Sequence, residues 1–334
     1  MKAIAPGKLI LSGEHSVVYG KPAIAMAIDR SAVFELAPHA SDQICFDLPG
    51  STERESFTLM ALRDLKRRVE KKYHEFQRGE IGIGYVLAAP ADLFRFAFIN
   101  TLDGLHRKLD SGLVLKLRSS IPMGCGLGSS AATVLSELRA MGHYLRIDFK
   151  PEWYYEFSLE AEKLQHGNPS GVDSYISLHG GCARFEQGSA RSMALPRMKM
   201  FLVHTGIPQT TTGECVMAVE RGFRSSEIWS EFEAVTNAFE EAIQRNEVQQ
   251  LRSLVRENNR LLIAIGVVPP AVQQFSREIE AWGGAAKICG AGAVSGENGG
   301  VVLVLADEKP SEICAKYGYH VSPVRGDPLG TRMV

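Results

Sequence analysis

The chain has 334 residues, of which 45% are hydrophobic, and its 37 Lys and Arg nearly balance its 38 Asp and Glu, giving a formal net charge of −1. This length is enough for a sizeable core divided between two lobes. A charge balance so close to neutral favours neither a nucleic-acid partner nor an acidic tail. No apolar stretch approaches the length that spans a membrane, so we expect no membrane partner.

The cysteine usage and the first residues bear on the cellular compartment. The six cysteines are far apart, and none forms a Cys-x-x-Cys pair. Six cysteines in a chain of this length are too few for a disulfide scaffold, so we expect reduced thiols. Pro6, Gly7, Lys8 and Glu14 interrupt any early apolar run, and no signal peptide is visible. The sequence therefore predicts a cytoplasmic protein.

Apolar runs and helical spacings alternate irregularly along the chain. The predicted strands cover residues 3–5, 32–36, 44–48, 113–117, 182–185, 199–204 and 301–305. The predicted helices cover residues 57–77, 90–108, 130–144, 152–163, 213–222, 227–245, 248–265 and 271–281. This mixture is not a strict βαβ alternation and predicts an α+β fold. A polar turn, Gln187-Gly188-Ser189, indicates a division into lobes of residues 1–186 and 187–334.

The first chemically informative segment begins at Ala5. Pro6 and Gly7 predict a turn beside a short strand, which would point Lys8 in a set direction. Glu14 and His15 follow at the next turn. Taken alone, Lys8 is typical of a solvated lysine and His15 of a polar residue with its hydrogen bonds satisfied. This segment by itself therefore does not predict a functional site.

The most informative stretch is residues 121–132, Ile-Pro-Met-Gly-Cys-Gly-Leu-Gly-Ser-Ser-Ala-Ala. Its three glycines leave the backbone open to a ligand. The amides from Ser129 to Ala132 would lie in the first turn of a helix, where they lack intrahelical acceptors and meet the positive end of the dipole. The stretch therefore predicts a phosphate site, although a glycine-rich turn capped by Ser129 is the alternative. A P-loop requires a Lys after its last glycine, and no Lys follows Gly128. A Rossmann fingerprint requires a third small residue, which Ser129 only approximates.

Two carboxylates flank a loop rich in Gly, Pro and Asn. Glu162 would end a helix and Asp173 would start the next element. One carboxylate could offer a hard oxygen ligand to Mg²⁺ and the other could act beside a hydroxyl group. The alternatives are a helix-surface charge for Glu162 and a helix N-cap for Asp173. A third segment, Lys287-Ile288-Cys289-Gly290-Ala291-Gly292, is by itself typical of a hairpin turn.

The order of these segments resembles the GHMP kinase superfamily. The chain has an early Pro-Gly-Lys, a central Pro-x-Gly-x-Gly-Leu-Gly-Ser-Ser-Ala-Ala and a late Gly-Ala-Gly, spread from residue 5 to residue 305. Within the superfamily it most resembles the mevalonate kinases, on residues 13–25 and 166–173. The resemblance implies a two-lobed fold, with an N-terminal lobe similar to a ribosomal small-subunit protein domain and a ferredoxin-like C-terminal lobe. It also implies ATP and Mg²⁺ as cofactors and mevalonate as the substrate, phosphorylated on its primary hydroxyl.

The resemblance assigns roles to individual residues. Asp173 matches the catalytic aspartate, and Lys8 matches the lysine that stabilises the developing alkoxide. Ser130 and Glu162 match the metal ligands. The expected cofactor-binding residues are Pro122, Gly124, Gly126, Leu127, Gly128, Ser129, Ser130 and Ala131. The expected substrate-binding residues are Glu14, His15, Thr211, Gly290, Ala291 and Gly292. The resemblance is also compatible with a homodimer.

Two departures from the mevalonate kinase pattern leave alternatives open. Residues 293–298 read Ala-Val-Ser-Gly-Glu-Asn where further glycines are usual, and Ser12 replaces a bulkier apolar residue. One alternative is another GHMP kinase, acting on phosphomevalonate, a sugar or a homoserine-type acceptor. The other is a non-catalytic ligand sensor with the same fold, against which the presence of Lys8, Glu162 and Asp173 weighs.

Overall fold

The computed structural model describes residues 1–49, 54–148 and 150–334. The strands in these ranges are β1 (Lys2–Ser12), β2 (Ala23–His39), β3 (Ile44–Asp47), β4 (Glu55–Phe57), β5 (Gly112–Ser119), β6 (Cys182–Glu186), β7 (Ser189–Met193), β8 (Met200–His204), β9 (Ala285–Ile288), β10 (Val301–Leu305), β11 (His320–Val324) and β12 (Arg332–Met333). The α-helices are α1 (Leu59–Gln77), α2 (Asp92–Gly104), α3 (Ser129–Tyr144), α4 (Pro151–His166), α5 (Val172–His179), α6 (Thr212–Phe223), α7 (Ile228–Arg245), α8 (Val248–Ala264), α9 (Pro270–Ala281) and α10 (Ser311–Lys316). Short 3-10 helices cover Ser16–Tyr19 and Ile83–Tyr85.

The first sheet has the strand order β12-β1-β2-β5-β3-β4. Strand β2 is long enough to pair with β6 through its first residues and with β5 through its last ones. Strand β7 extends the sheet beyond β6. Strands β3 and β5 pair in parallel, whereas the other pairs of this sheet are antiparallel.

The second sheet has the order β11-β8-β10-β9 and is antiparallel throughout. Helices α8 and α9 pack on β9, and α7 and α8 also contact β1 of the first sheet. One hydrophobic core therefore runs through both lobes and includes Phe34, Phe98, Phe232 and Phe275. The α+β prediction is confirmed. The division at residue 186 stays a prediction; β7 and β12 follow it in sequence but belong to the first sheet.

Most predicted elements are confirmed with small shifts, but the predicted turn at Pro6 and Gly7 is wrong. Both residues lie inside β1, at the point where its register against β2 shifts between Pro6 and Lys8. A β-bulge tolerates proline because the ladder hydrogen bonds are already interrupted there. A Cβ atom on Gly7 would lie 2.9 Å from the carbonyl oxygen of Leu127, so glycine lets β1 approach the glycine-rich stretch.

Two findings bear on the expected compartment without testing it. All six cysteines are buried, and within the described ranges none forms a disulfide. In the same part of the chain, no helix combines the length and the apolar character that crossing a membrane requires.

Candidate active site

A cleft, which we call the central chamber, contains Lys8 and Asp173 in its wall. Strand β1 carries Lys8, and the first turn of α5 carries Asp173. Lys8 Nζ lies 3.0 Å from Asp173 Oδ1; the lysine side chain is 4% exposed and the aspartate side chain 31%. The carboxylate thus reaches the chamber above a buried ammonium group. Lys8 is not a solvated lysine, and Asp173 is not an N-cap, since Gly171 occupies that position.

The glycine-rich stretch closes directly over this ion pair. Gly128 has a φ of 67°, and a Cβ atom there would lie 2.8 Å from Lys8 Cγ and 3.4 Å from Asp173 Oδ2. The backbone amide of Lys8 donates to the carbonyl oxygen of Leu127 at 2.9 Å. Gly128 is also the N-cap of α3, so the alternative of a turn capped by Ser129 is wrong. The Ala132 amide, expected to be without an acceptor, donates to the carbonyl oxygen of Gly128 at 3.1 Å. Within the described residues, the amides of residues 129–131 have no acceptor and are free for an anion beside Lys8.

The late glycine turn contacts the central one backbone to backbone. A Cβ atom on Gly126 would lie 2.4 Å from the carbonyl oxygen of Cys289, and one on Gly290 would lie 2.7 Å from Gly126 Cα. Gly290 and Ala291 line the central chamber. The two glycine-rich segments thus form one surface, to which each lobe contributes a part.

Glu162 is buried, so the alternative of a helix-surface charge is wrong. Its Oε2 atom lies 3.4 Å from His166 Nε2, one turn later on α4. Burial lowers the pKa of His166, but the hydrogen bond and the negative charge of Glu162, with the charge of Asp173, outweigh burial and raise it. Within the described residues, Glu162 Oε1 is buried and has no hydrogen-bond partner. An unpartnered anionic oxygen facing a cleft is the kind of donor that a hard cation binds.

Ser130, the second expected metal ligand, is half-buried in the first turn of α3. In the described parts of the chain, no three His, Cys, Asp or Glu residues gather in a way that could hold a metal ion. Mg²⁺ keeps several waters and takes few protein ligands, so one carboxylate and one hydroxyl fit its usual demands.

Glu14 lines the central chamber, but its carboxylate is already bound from the second lobe. Lys287 on β9 forms an ion pair with it, and Asn258 Nδ2 on α8 donates to its Oε2 atom at 3.2 Å. The Lys287 ammonium also donates to the carbonyl oxygens of Ile10 and Ile288, at 3.1 and 3.0 Å. Lys287 is fully buried and Glu14 is 1% exposed. This pair joins the two lobes under the chamber.

His15 lines the central chamber and keeps one buried ring nitrogen without a partner in the described residues. It has a φ of 60°, unusual for a residue with a side chain, and it is 6% exposed. Burial lowers its pKa to about 4, outweighing the hydrogen bond to Ala291, so the ring is neutral near pH 7. Nε2 lies 3.0 Å from the carbonyl oxygen of Ala291, which accepts only, so Nε2 carries the proton. Nδ1 is therefore an acceptor, and it is buried without a hydrogen-bond partner in the described residues.

A second cleft, which we call the side cleft, adjoins the chamber. The two share the lining residues Gly126, His166, Thr212, Gly213 and Ala291. Apolar residues of the side cleft include Ile83, Leu87, Ala88, Pro90 and Leu164. The chamber and the side cleft thus meet at the two glycine-rich segments.

Several expected site residues lie at the edge of this arrangement. Gly124, Thr211 and Gly292 line the side cleft rather than the chamber. The Thr211 hydroxyl caps α6, accepting from the Glu214 amide and donating to its carboxylate.

Pro122 lines a third depression, separate from the chamber and the side cleft. Leu127 and Ala131 are buried and contribute backbone only, whereas Ser129 is half-buried.

The sequence interpretation missed part of the wall and the cation that pairs with Glu14. Chamber residues that it did not assign include Ile10, Val17, Val18, Asn168, Ser170, Thr212 and Val216. The motif of residues 287–292 alone assigns no role to Lys287. A single lysine in an otherwise apolar strand, Ala285-Ala286-Lys287-Ile288, is the signal that could have predicted a buried anionic partner.

Comparisons with known proteins agree with this geometry. The family described as GHMP kinases N terminal domain matches residues 96–181, which include the phosphate loop and Asp173. A curated relative is 30% identical over 333 residues, covering 93% of this chain and 90% of its own, and the chain therefore belongs to the GHMP kinase family. That relative is the mevalonate kinase of Thermococcus sibiricus.

Solved structures agree on the fold. The mevalonate kinase of Methanococcus jannaschii superposes with a TM-score of 0.80 at 24% identity, covering 98% of each chain. The L. major mevalonate kinase in complex with R-mevalonate gives a TM-score of 0.71 at 22% identity, covering 99% of this chain and 97% of that one. The predicted two-lobed GHMP kinase fold is confirmed.

Proposed function

We propose that the protein is an ATP-dependent kinase that phosphorylates the primary hydroxyl of mevalonate to give 5-phosphomevalonate. The observation that carries the proposal is the Lys8–Asp173 pair, 3.0 Å apart, at the junction of the phosphate loop and the central chamber. The 30% identity to the Thermococcus sibiricus mevalonate kinase supports the choice of acceptor.

The pair suits phosphoryl transfer to an alcohol. The oxygen of the primary hydroxyl bonds to the terminal phosphorus of ATP while the bond from that phosphorus to ADP breaks, and Asp173 accepts the hydroxyl proton. Lys8 has one ion-pair partner in the described residues, Asp173, and keeps further N–H donors for the developing alkoxide and a phosphate oxygen. The amides at the start of α3 and the glycine-rich backbone bind the remaining phosphate oxygens.

Glu162 and Ser130 are the proposed ligands for Mg²⁺. The unpartnered Oε1 atom of Glu162 supports this assignment. When bound, Mg²⁺ neutralises charge on the phosphates and holds them in line with the acceptor. His166 orients the Glu162 carboxylate through the contact between Nε2 and Oε2.

The Mg²⁺ assignment has a binding test that does not require turnover. In Glu162→Gln, we expect the Mg²⁺ concentration that supports ADP binding to rise about tenfold or more, because a neutral amide is a poorer ligand. Glu160→Gln is the matched control, since Glu160 lies on the same helix, is 55% exposed and pairs with Lys163. Calorimetric titration of ADP at several Mg²⁺ concentrations measures the change. Equal Mg²⁺ dependence in both variants would remove Glu162 from the metal site.

The proposed acceptor matches the chamber wall. Mevalonate has a second hydroxyl and a methyl group on one carbon, besides the primary hydroxyl that reacts. Val17, Val18 and Val216 offer an apolar wall to the methyl group. The side cleft, with its apolar wall, is the proposed position of the nucleotide base.

The test is a coupled ADP-release assay with Mg-ATP against mevalonate, phosphomevalonate, galactose and homoserine. We expect turnover on mevalonate alone. Turnover on another acceptor would keep the kinase and change the substrate, and would point to residues 293–298. No turnover with any of the four, combined with retained nucleotide binding, would favour the sensor alternative. The homodimer and the cytoplasmic location stay predictions.

A further inference from the structure

The last residues of the chain meet the helix that carries Asp173. Helix α5 has eight residues, starts beside Gly171 and ends beside Gly180. Two turns of helix are marginal without support, because nucleation costs more than so few hydrogen bonds return. Contacts with α3, α4 and β1 hold α5 along its length, and the contacts at its far end add to them in fixing the position of Asp173.

Thr331 supplies hydrogen bonds at that end. Its hydroxyl Oγ1 donates to the carbonyl oxygen of Ser177 at 2.8 Å, and its amide donates to the carbonyl oxygen of Leu178 at 3.0 Å. These carbonyls belong to the last turn of α5, where intrahelical donors run out. Thr331 is buried, at 8% exposure. The helix is thus capped by a residue more than 150 positions away.

The contact between the tail and the helix is close and leaves no room for side chains. A Cβ atom on Gly330 would lie 2.0 Å from the carbonyl oxygen of Leu178, and one on Gly180 would lie 2.4 Å from the Gly330 amide nitrogen. Gly180 has a φ of 72°, which glycine adopts without strain. The backbone of the tail is therefore packed directly on the end of α5.

The same tail is fixed to the strand opposite Lys8. Lys8 on β1 faces Ala27 on β2. The carbonyl oxygen of Ala27 accepts from the Asp327 amide at 2.9 Å, and the Ala27 amide donates to the carbonyl oxygen of Gly181 at 2.8 Å. Beyond Thr331, β12 pairs with the start of β1. The tail is thus anchored on both sides of its contact with α5.

These contacts link the two elements that carry the reacting pair. Lys8 lies opposite Ala27 in the strand register, and Ala27 accepts from the Asp327 amide. The tail continues to Thr331, which holds the last turn of the helix whose first turn carries Asp173. We propose that Thr331 is a positioning residue for phosphoryl transfer, setting the distance between Asp173 and Lys8 through α5. The catalytic part of this inference rests on the proposed function.

The test compares Thr331→Val with Thr331→Ser. Valine keeps the shape and the amide of threonine but removes the hydroxyl, whereas serine keeps the hydroxyl. We expect Thr331→Val to lower kcat about three- to tenfold, with the KM for ATP changed less than about twofold, and Thr331→Ser to stay close to wild type. Thr101→Val is the matched control, because Thr101 is buried on α2 and its hydroxyl has no partner in the described residues. We expect its kcat to be unchanged.

Hydrogen exchange in the unmodified protein separates this inference from the proposed function and from folding defects. We expect the Thr331 amide to exchange at rates similar to those of the amides of residues 176–179, since the two segments must open together. Exchange of the Thr331 amide far faster than that of α5 would overturn the proposal, whatever the substrate. So would a Thr331→Val protein that folds, exchanges faster in α5 and retains the wild-type kcat. Failure of the wild-type protein to phosphorylate mevalonate would contradict only the proposed function.

Discussion

Two lysine–carboxylate pairs border the same chamber and differ in what surrounds them. In Lys8–Asp173, the aspartate side chain is 31% exposed and the ammonium has a single charged partner in the described residues. In Lys287–Glu14, both side chains are sealed, at 0% and 1% exposure. The Lys287 ammonium finds three acceptors for its three protons, from Glu14, Ile10 and Ile288. The first pair keeps free hydrogen-bonding capacity, whereas the second is saturated.

The same two residue types, a lysine and a carboxylate, can therefore form pairs with different roles. A saturated, fully desolvated pair has no donor left for a ligand. Its role is to hold the two lobes together. A pair with a solvent-facing carboxylate and spare donors can exchange a proton and stabilise charge that develops during reaction. The predictions below separate these roles.

A large expected effect concerns catalysis by the open pair. Lys8→Met removes the donor that faces the developing alkoxide, and we expect kcat to fall about 10²- to 10³-fold. Lys21→Met is the matched control, because Lys21 pairs with Glu233 at 2.6 Å and does not line the chamber. Steady-state kinetics with mevalonate measures both. Comparable losses in the two variants would remove the special role of Lys8.

The sealed pair is expected to control stability. Lys287→Met leaves the Glu14 carboxylate buried without its counter-charge, and we expect the free energy of unfolding to fall by about 3–5 kcal/mol. The double variant Lys287→Met/Glu14→Gln removes both charges and is expected to recover part of that loss. Urea unfolding of the single and double variants measures the coupling.

An exposed ion pair provides the control for this measurement. Lys2 and Glu35 lie 3.7 Å apart with 49% and 45% of their side chains exposed. Lys2→Met is expected to change the free energy of unfolding by less than about 1 kcal/mol. A loss in Lys287→Met no larger than that of Lys2→Met would contradict the assigned role of the sealed pair.

The smallest effect concerns His15, which lines the same chamber. Its pKa is lowered from 6.5 to about 4 in the folded state by burial, so between these values the unfolded chain binds the extra proton. Stability is therefore complete above pH 6.5 and is lost as the pH falls toward 4, by up to about 1.4 kcal/mol per pH unit. His15→Asn lacks this dependence. The difference in unfolding free energy between the two proteins is therefore expected to be smaller at about pH 5 than near pH 7. A difference that does not change with pH would contradict the burial argument.

The sequence was sufficient for those features that local chemistry determines. The glycine-rich stretch and helix α3 were predictable because helix-start chemistry is local. The roles of Lys8, Glu162 and Asp173 came only from the resemblance to the GHMP kinases, since local chemistry favoured a solvated lysine, a surface charge and an N-cap. The turn at Pro6 and Gly7 was not, since the strand continues there through a bulge against β2. Proline and glycine favour turns locally, and only the partner strand and Leu127 decide otherwise.

The partners of Glu14 and α5 could not be predicted because they are distant in sequence. Lys287 reaches Glu14 across 273 positions, and Thr331 caps α5 from the last residues of the chain. Helix α5 itself was missed because eight residues give too little periodicity to distinguish a helix. Burial of Glu162 has the same origin, since helix packing rather than local sequence removes it from solvent.

The most direct test of the account is the rate of phosphoryl transfer in Asp173→Asn, measured with Mg-ATP and mevalonate together with nucleotide affinity on the same preparation. Asparagine keeps the shape of the side chain but accepts no proton from the hydroxyl. We predict that the transfer rate falls about 10²- to 10⁴-fold while the affinity for Mg-ATP changes less than about threefold. A transfer rate within about tenfold of wild type would contradict the assignment of Asp173 as the group that receives the proton.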